Sequence, residues 1–179
     1  MSAIFSFLHN DDRILEFQKY LNRVKKLIDP VKIEVELDSK LEKRVQLKSI
    51  QPLMDHDYSE LKSMILTNSV ESQLLRSRLC HLRIEVYKHS RKLSDYVEGL
   101  KKYLFITHKN QLELLGLKTQ ADKNYIIDSC FLEASTFLTE LQVLEQALVF
   151  FIEDLDKNLW TLKNLVSVLE LSVKNKVGI

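Results

Sequence analysis

The chain has 179 residues and a net charge of +1, with 45% hydrophobic and 28% charged residues. This length and composition fit one folded domain, or one domain with an appendage, and exclude a disordered or fibrous chain. Only 3 glycines and 2 prolines are present, whereas sandwiches, barrels and doubly wound α/β folds need such residues at frequent turns. The composition therefore predicts an all-α protein and excludes glycine-rich phosphate loops.

Charge is distributed unevenly along the chain. Residues 1–70 carry eleven basic and eleven acidic groups, residues 71–109 carry nine and four, and residues 110–179 carry six and ten. The near-neutral total therefore conceals a segment of net charge +5 followed by one of −4. A basic segment of this kind can attract a polyanion. The acidic segment could equally neutralise it within the protein.

Several features bear on the cellular compartment. No uninterrupted apolar run approaches the roughly 20 residues of a membrane span, and the apolar residues 1–8 lack the basic leader of a signal peptide. The two cysteines, Cys80 and Cys130, fit reduced thiols better than a disulfide. We therefore expect a cytoplasmic protein without a membrane partner, located in the host cell cytoplasm if it is viral.

Residues 1–67 are predicted to form an N-terminal region of short elements. Asp11 and Asp12 suit a helix start, and apolar residues follow at 3-4-3-4 spacing as far as Pro30. Residues 31–37, VKIEVEL, alternate apolar and charged side chains, and this period of two predicts an extended segment that pairs with another subunit or forms a linker. Short helices are then expected from Asp38 to about Ser49 and from Asp57 to about Leu66.

A long helix is predicted over residues 69–107. Asn68 and Glu71 fit a capping box at its start. A heptad seam of more than four repeats follows, in which only His89 is polar. The seam positions are Leu75, Leu79, Leu82, Val86, His89, Leu93, Tyr96, Leu100 and Tyr103.

A second long helix is predicted over residues 120–174, after a break around 108–118. Thr119 and Asp122 fit another capping box, and a largely apolar seam follows in which Glu145 is the single interruption. At 1.5 Å per residue this helix would be roughly 80 Å long, longer than a globule of this size is wide. Residues 68–179 are therefore predicted to form a long helical hairpin that packs on itself, on other copies, or both.

The apolar face of the second helix is broader than the seam of a two-stranded coiled coil. A broad face requires at least two neighbouring helices. We therefore expect the hairpin to assemble into a homo-oligomer. The predicted oligomerisation residues are Leu141, Leu148, Phe151, Ile152, Leu155, Leu159, Leu162 and Val166.

Catalytic and metal-binding patterns do not stand out. No nucleophile, base and orienting group occur together in a recognisable arrangement, so no catalytic residue is predicted and the protein is not expected to be an enzyme. Cysteine–histidine spacing typical of zinc sites is absent, and neither a metal site nor a cofactor is predicted.

The basic residues of the first long helix are positioned off its heptad seam. Basic side chains along a rigid helix provide a track for phosphates, and nearby aromatic rings can stack unpaired bases. The alternative is that these residues keep the helix soluble and form salt bridges with the acidic second helix. The basic residues are Arg76, Arg83, Lys88, Arg91 and Lys101, and the aromatic residues near them are Tyr87, Tyr103 and Phe105.

Residues 68–170 also follow a recognisable order of motifs. A helix rich in Leu, Arg and Lys opens at Asn68 with Glu71 and Ser72, and it carries an aromatic-x-x-Gly over residues 96–99. The residues Ala-Asp-Lys at 121–123 open a second helix. Phe150 or Phe151, Leu-Asp at 155–156 and Trp-Thr-Leu-Lys-Asn at 160–164 follow near its end. In these features the chain resembles the UvsY-like recombination mediators of tailed bacteriophages, which are short helical proteins with ring-forming C-terminal helices.

The resemblance implies a non-enzymatic protein that binds single-stranded DNA. It would help remodel a single-strand-binding protein and load a RecA-like recombinase, and copies of it would form a ring through their final helices. Its partners would thus be single-stranded DNA, the recombinase, the single-strand-binding protein and itself. The residues expected to contact phosphates are Arg76, Arg78, Arg83, Lys88, Arg91 and Lys92, with Lys101 and Lys102 close behind.

The sequence leaves two other non-enzymatic functions open. One is a coiled-coil scaffold or adaptor protein that oligomerises and binds other proteins, with the basic helix forming internal salt bridges only. The other is a regulator whose residues 31–37 add a strand to the sheet edge of a partner.

Overall fold

The computed structural model describes residues 6–42 and 58–177, and within these ranges all regular structure is α-helical. The predicted all-α class is therefore confirmed. The helices are α1 (Ser6–His9), α2 (Asp12–Leu27), α3 (Pro30–Glu42), α4 (Tyr58–Thr107), α5 (Lys109–Leu114), α6 (Gln120–Ser129) and α7 (Leu132–Val177).

The chain divides into two compact units. Unit 1 contains Met1–Ile33 and Glu85–Glu145, and unit 2 contains Glu34–Ile84 and Gln146–Ile179. Helices α4 and α7 each contribute residues to both units. The division therefore does not coincide with the predicted boundary at residue 67.

An aromatic cluster holds the helices of unit 1 together. Phe17 of α2 packs edge-on against Tyr96 of α4, with ring centroids 5.3 Å apart, and against Phe131, which precedes α7, at 5.5 Å. Phe17 and Phe131 are almost completely buried. Rings in this edge-to-face arrangement gain about 0.5–1.5 kcal/mol per pair beyond the area that they bury. Helix α2 is thereby fixed across α4 and the start of α7.

A largely covered contact between Asp11 and His108 anchors the start of α2. Asp11 is the N-cap, and its carboxylate accepts a hydrogen bond of 2.9 Å from the Arg13 amide. The same carboxylate lies 3.0 Å from Nε2 of His108 and accepts a hydrogen bond from the Tyr103 hydroxyl at 3.4 Å. The side chains of Asp11 and His108 are only 9% and 13% exposed. The predicted helix start at Asp11 is confirmed. The Asp11 side chain also ties α2 to the end of α4.

Helices α4 and α7 are antiparallel within unit 2. Lys62 of α4 donates a hydrogen bond of 3.1 Å to Glu170 of α7, and Arg76 of α4 pairs with Asp156 of α7. Leu79, Leu155 and Leu162 are buried in this unit. The residues predicted at the two heptad seams thus provide core contacts within one chain.

The prediction of an extended segment over residues 31–37 is wrong, because these residues belong to α3. Asp29 begins that helix: its side chain accepts a hydrogen bond from the Lys32 amide at 3.1 Å, and Pro30 takes the first helical position. An unpaired strand would leave its backbone amides and carbonyls without partners, whereas a helix satisfies them internally. Leu37 is buried and Ile33 half-buried, while Val31 and Val35 remain exposed.

The first long helix is already present at Tyr58, eleven residues before its predicted start, and it runs without a break through Leu66, so the prediction that a separate short helix ends there is wrong. The expected N-cap Asn68 lies within the helix, and the hydroxyl of Ser69 donates to the carbonyl of Ile65, one turn back. Buried Ile65 and Ser72 continue the packed face through this region. The predicted end at residue 107 is confirmed.

The prediction of a short helix over residues 38–49 is wrong for the part that the structure describes. Asp38 and Ser39 lie inside α3 and do not begin a helix. Residues 43–49 of that prediction, and Asp57 as the start of the next helix, lie outside the described residues.

The second long helix is two helices, because α6 ends at Ser129 and α7 begins at Leu132. The amide of Cys130 bonds back to the carbonyl of Ile127 and that of Phe131 to the carbonyl of Asp128, both at 3.0 Å, in a tight turn. No glycine or proline marks this turn. It carries Phe131 into the aromatic cluster, so tertiary packing explains a break that helix propensity does not.

Two local sequence signals determine the backbone between α5 and α6: a glycine that ends α5 and a capping residue that begins α6. Gly116 has a φ of 88°, and the amides of Gly116 and Leu117 bond back to the carbonyls of Glu113 and Leu112. This is the Schellman ending of α5. The predicted capping box is confirmed, since Thr119 accepts a hydrogen bond of 3.1 Å from the Asp122 amide.

One segment of α7, Leu132–Leu171, is long and apolar enough to cross a membrane when length and composition alone are considered. The core helix of a soluble protein can meet the same criterion. Only 28% of its most apolar stretch is buried within the protein. Some apolar side chains of this helix are exposed, among them Val143, Phe150 and Trp160.

The contacts of Asp11 predict a pH-dependent contribution to stability. Burial acts to raise the pKa of its carboxyl, but the hydrogen bonds from His108, Arg13 and Tyr103 and the charge of His108 outweigh it and hold that pKa below 3.8. A lowered folded-state pKa stabilises the protein above the unfolded-state value and ceases to do so as the pH falls through the folded-state value. Asp11→Asn keeps an N-cap of similar strength but removes the charge. We expect it to lower the free energy of unfolding at neutral pH.

Urea denaturation of Asp11→Asn and of the wild type, at neutral pH and below pH 3.8, measures this contribution. The difference between the two proteins should narrow at the lower pH, where the wild-type carboxyl also becomes neutral. Asp12→Asn, an exposed neighbour, is the control. An equal difference at both pH values would contradict the role given to the Asp11 charge.

Candidate nucleic-acid interface

All eight predicted phosphate-contacting residues lie on α4, but the structure divides them between the units. Arg76, Arg78 and Arg83 are in unit 2. The other five are in unit 1 and are Lys88, Arg91, Lys92, Lys101 and Lys102. Each group is therefore considered by its own contacts.

Arg76 is a structural residue of unit 2. Its guanidinium donates two hydrogen bonds to the carboxylate of Asp156 on α7, with Nη2 3.1 Å from Oδ2. These hydrogen bonds and the charge of Asp156 raise the pKa of Arg76. A two-pronged arginine–carboxylate pair has a fixed geometry, so a phosphate would have to compete with it. Arg78, two residues on, is exposed.

Two lysines of unit 1 also have acidic partners. Nζ of Lys101 lies 2.7 Å from Oδ1 of Asp128 on α6, and Nζ of Lys88 lies 3.0 Å from Oε1 of Glu85 one turn earlier on α4. The Lys88 ammonium lowers the pKa of Glu85, chiefly through its hydrogen bond. The acidic second half of the chain thus neutralises Arg76 and Lys101, as the alternative interpretation of the basic segment predicts.

The remaining cations of unit 1 face solvent. Arg91, Lys92 and Lys102 are exposed, and within the described ranges the structure gives none of them an ion pair. Exposed Asp95 and Glu98 share this stretch of helix and moderate its field. The face is therefore weakly rather than strongly positive, and its cations are free to meet an anion.

The aromatic residues interleaved with the cations differ in accessibility. Tyr103 is covered, since the guanidinium of Arg13 lies 4.0 Å from its ring centroid and its hydroxyl donates to Asp11. Tyr87 is exposed on α4. Phe105 is half-buried and lines a groove. Tyr103 is therefore withdrawn from the predicted set of base-stacking rings, while the other two remain.

That groove lies within unit 1, between the last turns of α4 and helix α6, and we call it the α4–α6 groove. Its volume is about 360 Å³, which is within the roughly 300–1,000 Å³ of small-molecule sites. It combines cations, amides and one aromatic ring. The polar and aromatic residues that line it are Lys101, Lys102, Phe105, Gln120, Asn124 and Asp128.

The contribution of α6 to this surface was not predicted from the sequence. Gln120, Asn124 and Asp128 recur every four residues and so share one side of α6. This regular spacing of polar residues is the signal in the sequence from which they could have been found. Lys123 of the same helix is almost completely buried and pairs with Glu113 of α5. This ion pair ties α6 to α5 and so helps to hold the groove in place.

Half of the eight predicted oligomerisation residues are core residues. Leu141, Leu148, Leu155 and Leu162 are buried within the chain itself, so they cannot form a surface between copies. The prediction is wrong for these four, because helices of the same chain already cover that side of α7. Phe151, Ile152, Leu159 and Val166 are half-buried. The exposed apolar residues of α7 are Leu132, Val143, Phe150, Trp160, Val168 and Leu171.

Metal ligands and cysteines add no further site in the part of the chain that the structure describes. No group of three or more His, Cys, Asp and Glu side chains is arranged to hold a metal ion there. Cys80 and Cys130 are both free thiols, and burial raises the pKa of Cys130, with partial compensation by a hydrogen bond involving Ser129.

Comparison of the chain with protein-family models, with curated proteins and with solved structures finds no match.

The Arg76–Asp156 pair predicts the outcome of a charge exchange. Arg76→Glu places two carboxylates together and should lower the Tm, because like charges repel and the hydrogen bonds are lost. The double variant Arg76→Glu with Asp156→Arg restores an ion pair in the opposite sense and should recover much of that loss. Arg78→Glu is the control, since Arg78 is exposed and only two residues away. Thermal unfolding followed by circular dichroism measures all four proteins, and a double variant no more stable than Arg76→Glu would contradict the pairing.

Proposed function

We propose that this protein is a recombination mediator that binds single-stranded DNA and helps to load a RecA-like recombinase onto strand covered by a single-strand-binding protein. The proposal combines the resemblance of residues 68–170 to the UvsY-like mediators with the charges on α4. Its partners would be single-stranded DNA, the recombinase, the single-strand-binding protein and further copies of itself. It would act in the cytoplasm, which is the host cytoplasm if the protein is viral.

The observation that carries the proposal is the solvent-facing set of cations on α4 in unit 1. Arg91, Lys92 and Lys102 project from a rigid helix, and none of them forms a salt bridge in the described structure, although the charge of Lys92 contributes to the lowered pKa of Glu85. Phosphate contacts of this kind supply sequence-independent affinity through counterion release. The acidic residues on the same stretch of helix would keep the DNA affinity of a single copy low. Repetition of the surface in an oligomer would raise the overall affinity. Weak individual contacts suit a protein that must release the DNA strand to the recombinase.

Oligomerisation would use the exposed apolar residues of α7 rather than the buried ones. In unit 2 these include Phe150, Trp160 and Val168. Lipid is a less suitable cover for this helix, since Glu153, Asp154, Asp156 and Lys157 interrupt it and charges inside a bilayer are costly. We therefore propose that other copies of the chain cover these residues.

A non-catalytic scaffold or adaptor that oligomerises and binds other proteins is the second candidate. The Arg76–Asp156 and Lys101–Asp128 pairs favour it, because they use two of the eight predicted DNA contacts for internal stability. The two functions differ in one property. A mediator binds single-stranded DNA in a salt-dependent manner, and a scaffold does not.

Reversal of two of the exposed cations should weaken DNA binding and reduce its dependence on salt. The double variant Arg91→Glu with Lys92→Glu is expected to bind a single-stranded oligonucleotide far more weakly than the wild type at low salt. The slope of log K against log salt should fall in magnitude by about 0.7 for each phosphate contact that is lost. Fluorescence anisotropy titrations at several salt concentrations measure both quantities.

The matched control is Lys19→Glu with Arg23→Glu, which makes the same change of charge at exposed positions of α2. It should keep most of the affinity. Equal losses in the two double variants would indicate a general effect of net charge and contradict a site on α4. Absence of wild-type binding at low salt would favour the scaffold.

The oligomer proposal predicts that surface changes on α7 alter the molecular mass. The wild type should sediment as a species larger than a monomer at micromolar concentration. Phe150→Glu with Trp160→Glu should reduce that mass, because both rings are exposed in the single chain and the added charges oppose their burial between copies. Lys163→Glu is the control, at an exposed polar position of the same helix. A wild type that sediments as a monomer would contradict the proposal.

A further inference from the structure

We propose that the α4–α6 groove holds one nucleotide unit of single-stranded DNA, with its base against Phe105 and its phosphate at Lys102. This inference rests on the proposed function. It assigns the place where the protein contacts a base of the strand in addition to its phosphates. The cations on the outer face of α4 would then guide the backbone. The groove would provide the stacking contact.

The apolar side of the groove suits a base. Phe105 is half-buried, so its ring is held by the surrounding residues while part of it still faces the groove. Ile127 of α6 is 1% exposed and closes the bottom of the groove. An aromatic ring that is fixed in this way loses little conformational entropy on stacking. Of the three aromatic residues near the cations, Phe105 alone lines the groove, since Tyr103 is covered by Arg13.

The charges of the groove suit a phosphate attached to that base. Lys102 is exposed and has no ion pair among the described residues, so its ammonium is free to move toward an anion. Lys101 lines the same groove, but Asp128 holds its ammonium at 2.7 Å. The Asp128 carboxylate therefore neutralises Lys101, one of the two cations of the groove. Removal of that carboxylate should release Lys101 and strengthen the attraction for a phosphate.

The amides of α6 complete the arrangement. Gln120 and Asn124 are exposed side chains one turn apart on α6, and both line the groove. Each offers a hydrogen-bond donor and an acceptor, which can meet the polar edge of any base. The apolar surface of the groove suits the flat face of a base, while Lys102 and the two amides among its lining residues can meet a phosphate and the polar edge of that base.

The test compares two single strands of equal length, oligo-dT and a strand in which every base is replaced by an abasic tetrahydrofuran unit. Both carry the same phosphates, so the outer face of α4 should attract them equally. The wild type should bind oligo-dT more tightly, by roughly fivefold to 150-fold, which is the range observed when a stacking aromatic residue is removed. Phe105→Ala should lose this preference and keep its affinity for the abasic strand. Tyr125→Ala, an exposed aromatic residue of α6 that does not line the groove, should keep the preference.

Further variants control for a folding defect and for net charge. Phe105→Leu keeps apolar volume in the groove but removes the ring, and it should lose the preference while its thermal unfolding stays close to that of the wild type. Asp128→Asn should bind both strands more tightly, because Lys101 is released. Asp12→Asn removes one carboxylate at an exposed position outside the groove, so it controls for net charge and should produce a smaller gain.

The outcomes separate the two proposals. A wild type that binds neither strand contradicts the proposed function itself. A wild type that binds both strands equally, or a Phe105→Leu variant that keeps the preference, leaves the mediator function standing and overturns the groove assignment. An unchanged or lowered affinity of Asp128→Asn would contradict the position of the phosphate. Loss of the preference in the Phe105 variants, together with tighter binding by Asp128→Asn, supports the assignment.

Discussion

The packing of α2 across α4 and the start of α7 is the contact on which unit 1 depends. Phe17 touches both Tyr96 and Phe131, so one side chain joins three segments that are far apart in sequence. The turn between α6 and α7 places Phe131 in this cluster. That turn sets the direction of α6, and the direction of α6 creates the groove beside α4. A candidate binding site therefore follows from an aromatic contact made elsewhere in the unit.

The basic segment serves two purposes that the sequence cannot separate. Arg76 and Lys101 stabilise contacts between helices through Asp156 and Asp128, while Arg91, Lys92 and Lys102 remain accessible. Internal neutralisation therefore applies to Arg76 and Lys101, and attraction of a polyanion by the exposed cations stays a prediction. Neutralisation between helices and exposure to an anion occur on the same helix, a few turns apart. The proposed interface is accordingly smaller and less positive than the net charge of +5 over residues 71–109 indicates.

The errors of the sequence predictions have a common cause. Periodicity predicts an extended segment at residues 31–37, yet a lone strand has no hydrogen-bonding partner and the residues form α3. A capping pattern predicts a start at Asn68, yet packing continues through it and the helix begins at Tyr58. Each pattern describes a local preference of modest free energy. Satisfaction of backbone hydrogen bonds and burial of apolar side chains outweigh such preferences.

The sequence by itself determined the all-α class, the helix starts at Asp11 and Thr119, and the end of α4, because capping groups and the scarcity of glycine and proline act locally. It also indicated that α4 carries the cations. Only the tertiary structure decided which cations stay free, which aromatic ring remains accessible and which apolar residues of α7 are already covered. Those properties depend on which helix lies opposite each residue. That arrangement is fixed by contacts such as Phe17 with Phe131, whose partners are distant along the chain.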